Sequence, residues 1–132
     1  MPTEYSVDPV KRRVTTTGRG KLVFEQMMGS AAAMRDDPAL DPTFTELVDI
    51  TEVDSVDLTA EQIEALAEIR IFDPKSRRAI VAPRPLYFGM ARMYEAHHSA
   101  KAEATVRVFT DRDEAVKWLD GGPYKDTRPP MA

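Results

Sequence analysis

Cysteine is absent from the 132 residues, which excludes disulfides, thiolate metal sites and cysteine nucleophiles and suits a reducing interior better than a secretory route. No uninterrupted apolar run approaches the roughly 20 residues needed to span a bilayer. The opening stretch "MPTEYSVDPVKRR" holds no apolar core of a signal peptide, so a soluble, cytoplasmic chain is expected. Excess positive charge is also missing. The net charge is -4, and the basic stretches Lys11-Arg12-Arg13 and Arg77-Arg78 are too short to supply the clustered footprint of a nucleic-acid binder. Histidine occurs only as the adjacent pair His97 and His98, which on a helix point about 100° apart and cannot grip one metal as an i, i+4 pair does. Glycine is scarce where a phosphate loop would need it. Gly18 and Gly20 lie between a strand and a helix, but Val23 takes the third glycine's place and no Gly-Lys-Ser/Thr follows.

What remains is an ordinary globular balance, 42% hydrophobic and 30% charged, at a length suited to one domain. A single domain is expected over residues 1–120, with the Gly- and Pro-rich end 121–132 as a flexible tail. "YSVDPVKRRVTTTG" reads as two extended pieces joined at Asp8-Pro9. Helical spacing of apolar residues runs through "KLVFEQMMGSAAAMR", "LTAEQIEALAEIR", "LYFGMARMYEAHH" and "DRDEAVKWLD". "FTELVDI", "RRAIVA" (77–82) and "ATVRVF" (104–109) read as strands. Alternation of this kind predicts an α/β fold: a mixed sheet of about four to five strands covered by about four helices.

Most polar residues of interest crowd residues 49–59, read here as a strand-to-helix turn. Asp49 is placed at a strand end, followed by Asp54, Ser55, Asp57 and Thr59. Thr59 and Gln62 match a capping box, and so do Asp111 and Glu114. A receiver-type phosphoacceptor would need a lysine after "RVF", where Thr110-Asp111 stand instead. Two or more of Asp49, Asp54 and Asp57 would suit magnesium only with support from the other strand ends, and none offers it. No cofactor or metal is expected, and no nucleophile or oxyanion donor set accompanies Asp49 or His98, so the chain reads as non-enzymatic. Met27, Met28, Met34, Met90 and Met93 lie on apolar helix faces, where core filling competes with a pliable binding groove.

Three segments, "ELVDITEVDSVDLTAEQIEAL", "RRAIVAPRPLYFGMARMYE" and "VRVFTDRDEAVKWL", together resemble the SpoIIAA-like proteins, bacterial stand-alone domains grouped with the STAS and CRAL-TRIO folds. The similarity extends over about residues 4 to 120. By resemblance to STAS antagonists of anti-sigma factors, Asp49 matches the strand-end acid, Asp57 the turn aspartate and Thr59 the phosphoacceptor. Leu58 replaces the first serine and Ala60 the glycine that follows. The resemblance thus implies a regulatory, protein-binding domain, phospho-regulated at Thr59 or Ser55. The CRAL-TRIO likeness implies instead a carrier of a lipid or nucleotide. Its apolar pocket would be drawn from Met27, Met28, Tyr87, Met90 and Tyr94, with Arg92 at the mouth for an anionic head group. A protein partner, a small apolar or anionic ligand and a homo-oligomer are all compatible with these residues.

Overall fold

A computed structural model describes residues 3–101 and 105–124. Strands β1 (Thr3–Asp8) and β2 (Arg13–Val23) form an antiparallel hairpin. Asp8 closes its turn by accepting hydrogen bonds from the Val10 and Lys11 amides at 3.0 Å. The chain then alternates through α1 (Phe24–Arg35), β3 (Thr45–Asp57), α2 (Ala60–Ala67), β4 (Arg77–Val81), α3 (Pro85–Lys101), β5 (Thr105–Phe109) and α4 (Arg112–Leu119). The five strands lie side by side in chain order, with β2 to β5 mutually parallel. This is the mixed sheet and four-helix cover expected of the sequence. Ala104, predicted to open β5, and residues 125–132 of the predicted tail lie outside the described residues. Tyr124 lies inside that predicted tail and sets its ring edge-on to Phe109 at 5.4 Å.

Helices α1, α2 and α3 share one face of the sheet and α4 covers the other. On the α4 side Leu47, Ala79, Val81 and Phe109 meet Ala115, Trp118 and Leu119. On the opposite side Ile80, Val106 and Val108 meet Phe88 and Ala91 of α3, while Val14 meets Met34 of α1 together with Phe44 and Phe72. This division follows the two-residue alternation of strand side chains.

Two element boundaries depart from the sequence reading. Lys21–Val23, expected to open α1, completes β2. The acidic segment 51–57, expected to be a turn, is the second half of β3. There the pairing of β2 with β3 slips twice, between Thr17 and Arg19 and between Gly20 and Lys21, and each slip leaves one extra residue on β3. Each inserted residue shifts the inward-facing position by one. Val48, Ile50, Val53, Val56 and Leu58 therefore all turn to the helix-covered side despite their uneven spacing. Among the described residues Arg19–Val23 and Glu52–Asp57 continue past the sheet as a two-stranded ribbon, since β1 pairing begins at Thr3 with Gly18 and β4 pairing ends at Val81 with Asp49.

Gly18 sits at the base of this ribbon. A Cβ there would lie 3.0 Å from Leu22 Cδ2 and 3.2 Å from Val53 Cγ2. Both neighbours are buried and have little room to yield. Gly18→Val is therefore expected to destabilise the fold by about 1–3 kcal/mol, read as a lowered urea midpoint with an unchanged slope.

Candidate functional site

The residues nominated in the acidic segment do not gather. Asp49 faces the α4 side, where it pairs with Arg112 and accepts the Thr51 amide at 2.9 Å. Burial works to raise its pKa, but hydrogen bonds from Thr51 and Arg112 hold it below the ordinary carboxylate range. Asp57 lies eight residues further along the same strand, roughly 25 Å away at strand rise, and approaches Lys21 at 3.8 Å. Asp54 is exposed, with the Ser55 hydroxyl 3.4 Å from its carboxylate. Thr59 caps α2: its hydroxyl accepts the Gln62 amide at 3.1 Å, and the Gln62 side chain accepts the Thr59 amide at 3.0 Å. Both halves of the expected capping box are present. Asp111 also caps its helix, accepting the Asp113 amide at 2.8 Å. The polar segment is thus extended strand because its valines, not its acids, decide its fate. Their burial fastens it to β2.

A different set of side chains converges beneath the helices. A cavity of about 170 Å³ lies between the sheet and helices α1 to α3. Its walls are aliphatic and aromatic, with Met27 from α1, Ile63 and Leu66 from α2, Tyr87, Met90 and Tyr94 from α3, and Ile50, Val56 and Leu58 from β3 and its exit. Four of the six residues nominated as pocket-forming, Met27, Tyr87, Met90 and Tyr94, stand in this lining. Met28 and Arg92 do not. Met28 is 37% exposed, and Arg92 pairs with Glu95 at 3.4 Å. Helical phase explains both, since each is adjacent in sequence to an inward-facing neighbour and so lies about 100° round the helix.

Charged groups at the sheet face of the cavity escape notice in the sequence. Glu46 is 1% exposed, and its Oε1 accepts Arg78 Nε at 3.0 Å and Nη2 at 2.8 Å. The two residues are register partners on β3 and β4. Glu46 Oε2 accepts the Thr16 hydroxyl from β2 at 2.7 Å. The Arg78 guanidinium lies 5.4 Å from the Phe72 ring centre and 5.8 Å from that of Tyr94. Burial opposes its charge, yet Tyr94 and Glu46 hold its pKa above the ordinary arginine value. One signal was available: Glu46 and Arg78 each interrupt an otherwise apolar strand alternation, as a buried pair must.

His98 closes the far end of α2. Its Nδ1 lies 2.8 Å from the Ala67 carbonyl and 3.2 Å from Arg70 Nη1; because a carbonyl can only accept, the shorter contact assigns the proton to Nδ1. Its ring stacks on Tyr94 at 5.7 Å. Among the described residues no three histidine, aspartate or glutamate side chains group as metal ligands, and no helix is long and apolar enough to cross a membrane.

Comparison with solved structures finds similarity to an uncharacterised protein of the DUF3478 family from Shewanella loihica, whose crystal structure has a SpoIIAA-like fold. The match covers 89% of this chain and 91% of that one, with a TM-score of 0.55 and 22% sequence identity. The fold of the present chain is accordingly SpoIIAA-like, as the sequence resemblance implied. No protein-family model and no curated protein matches the chain.

Burial, then the Arg78 charge, lower the His98 pKa from 6.5 to about 4, against the Ala67 carbonyl that favours its proton. Between those values the unfolded chain holds more protons on this residue than the folded one. Stability from neutral His98 is thus complete above about pH 6.5 and lost as pH falls toward 4, an effect of about 3 kcal/mol. His98→Phe keeps a ring against Tyr94 and is expected to flatten the stability profile across that window. Equal slopes for both proteins in urea titrations would contradict the assignment.

Proposed function

We propose that this chain is a non-enzymatic domain that binds a small ligand in the cavity between the sheet and α1 to α3, and that occupancy tunes the surface formed by the β2–β3 ribbon and α2. The observation that carries the reading is the cavity itself, a space of about 170 Å³ with mainly apolar walls. Protein interiors are otherwise packed with few voids larger than a water molecule. The charged groups lining it direct their hydrogen bonds to each other and to Thr16, an arrangement suited to holding a shape rather than moving protons.

The regulatory half of the reading rests on wall continuity. Ile63 and Leu66 line the cavity from α2, and Thr59 caps that same short helix from an exposed position. A phosphoryl group on Thr59 would meet the first-turn amides, with Asp57 and Glu61 opposing it. The likeness to STAS antagonists supports a switch of this kind. The CRAL-TRIO likeness supports the carrier function.

Native mass spectrometry of freshly purified protein is expected to reveal a bound small molecule that is lost on denaturation. Ala31→Leu, which fills the cavity from α1, should abolish that adduct while circular dichroism stays unchanged. An adduct that survives this substitution would locate binding elsewhere. For the regulatory half, Thr59→Glu should change the affinity for a cavity probe severalfold, and an unaltered affinity would remove Thr59 from the proposal.

A further inference from the structure

Resting on the cavity-binding reading, we infer that the ligand is an uncharged, compact molecule: an apolar body about the size of one six-membered ring, bearing a neutral hydroxyl or carbonyl. Charge is the first argument. Glu46 and Arg78 are the charged residues of the lining, and they neutralise each other through two contacts to one carboxylate oxygen, at 3.0 and 2.8 Å. A carboxylate or phosphate entering here would meet Glu46 as a like charge, and an ammonium would meet Arg78. Either ion would bring an uncompensated charge against mainly apolar walls. A neutral ligand meets a floor with no net charge.

Size is the second argument. A dry apolar cavity of about 150 Å³ admits benzene, and the present one is about 170 Å³. A single ring or a short branched chain fills this volume, whereas a nucleotide or a full acyl chain would leave most of its bulk outside it. The third argument concerns hydroxyls. Ser30 Oγ and Thr3 Oγ1 belong to residues of the lining, are buried, and have no hydrogen-bond partner among the described residues. Buried polar atoms are normally paired. A ligand hydroxyl or carbonyl that reaches either oxygen supplies the partner it lacks. Arg92, the residue an anionic head group would require at the mouth, is engaged with Glu95 at 3.4 Å and is not in the lining.

Four single-ring probes of similar shape test the inference: phenol, toluene, benzoate and benzylammonium, titrated at pH 7 into the full chain and followed by protein NMR shifts. Phenol is expected to bind at least about tenfold more tightly than either ion, and Ser30→Ala should narrow the gap between phenol and toluene. Glu46→Gln uncovers the Arg78 charge and should move benzoate ahead of phenol. The wild-type ranking decides the matter whether or not that variant folds. Benzoate or benzylammonium binding as tightly as phenol overturns the uncharged-ligand inference and leaves the cavity reading standing. Failure of all four probes to bind overturns both.

Discussion

The contact between Glu46 and Arg78 is the constraint around which the helix-covered face is arranged. It joins β3 to β4 at one register position, reaches β2 through Thr16, and holds its cation against Phe72 and Tyr94. Two charges taken out of water must be matched closely, and losing one partner typically costs about 3–5 kcal/mol. An apolar pair of equal volume would often serve stability as well. A buried pair adds direction: it fixes which strand residues lie opposite one another and which ring covers the guanidinium. The cavity borders this pair, so its polar boundary is as closely specified as its volume.

That arrangement also explains why the chemistry of the two faces differs. On the α4 side Phe109 and Trp118 close a filled core, with Arg77 over the Trp118 ring and bonded to the carbonyls of Trp118 and Gly122. On the other side α3 packs Phe88 and Ala91 directly on Ile80, Val106 and Val108, and the cavity lies beside that contact, bordered by the ionic pair and Tyr94. Met27 and Met90 only partly fill the space. Such flexible thioether side chains suit a wall that must adjust to an occupant.

Much of this was legible in the residues themselves. Apolar periodicity located the four helices, Thr59 with Gln62 announced the start of α2, and four of the pocket residues were visible as the inward rows of α1 and α3. The length of β3 was not. Val48, Ile50, Val53, Val56 and Leu58 are spaced by two, three, three and two, a pattern belonging to neither a plain strand nor a helix. Only pairing with β2, and the two bulges it contains, gives those intervals a meaning. The intervening acids drew attention as a cluster, although a strand spreads them out. Glu46 and Arg78 are hidden in the sequence for a related reason: a single charge in a strand looks like a solvent-facing residue until its partner on the neighbouring strand is known.

The ribbon beyond Gly18 has a consequence for behaviour in concentrated solution. Among the described residues its two strands pair only with each other, leaving backbone donors and acceptors on both flanks, the feature that invites strand addition from another molecule. Arg19, Lys21, Glu52, Asp54 and Asp57 stud those flanks, and Arg19 is tied to Glu4 and Glu52 at 2.5 and 3.0 Å. The guard that these charges place on the strand edges is electrostatic in origin. Its strength depends on the medium: salt that screens these charges weakens the guard while leaving the buried core untouched.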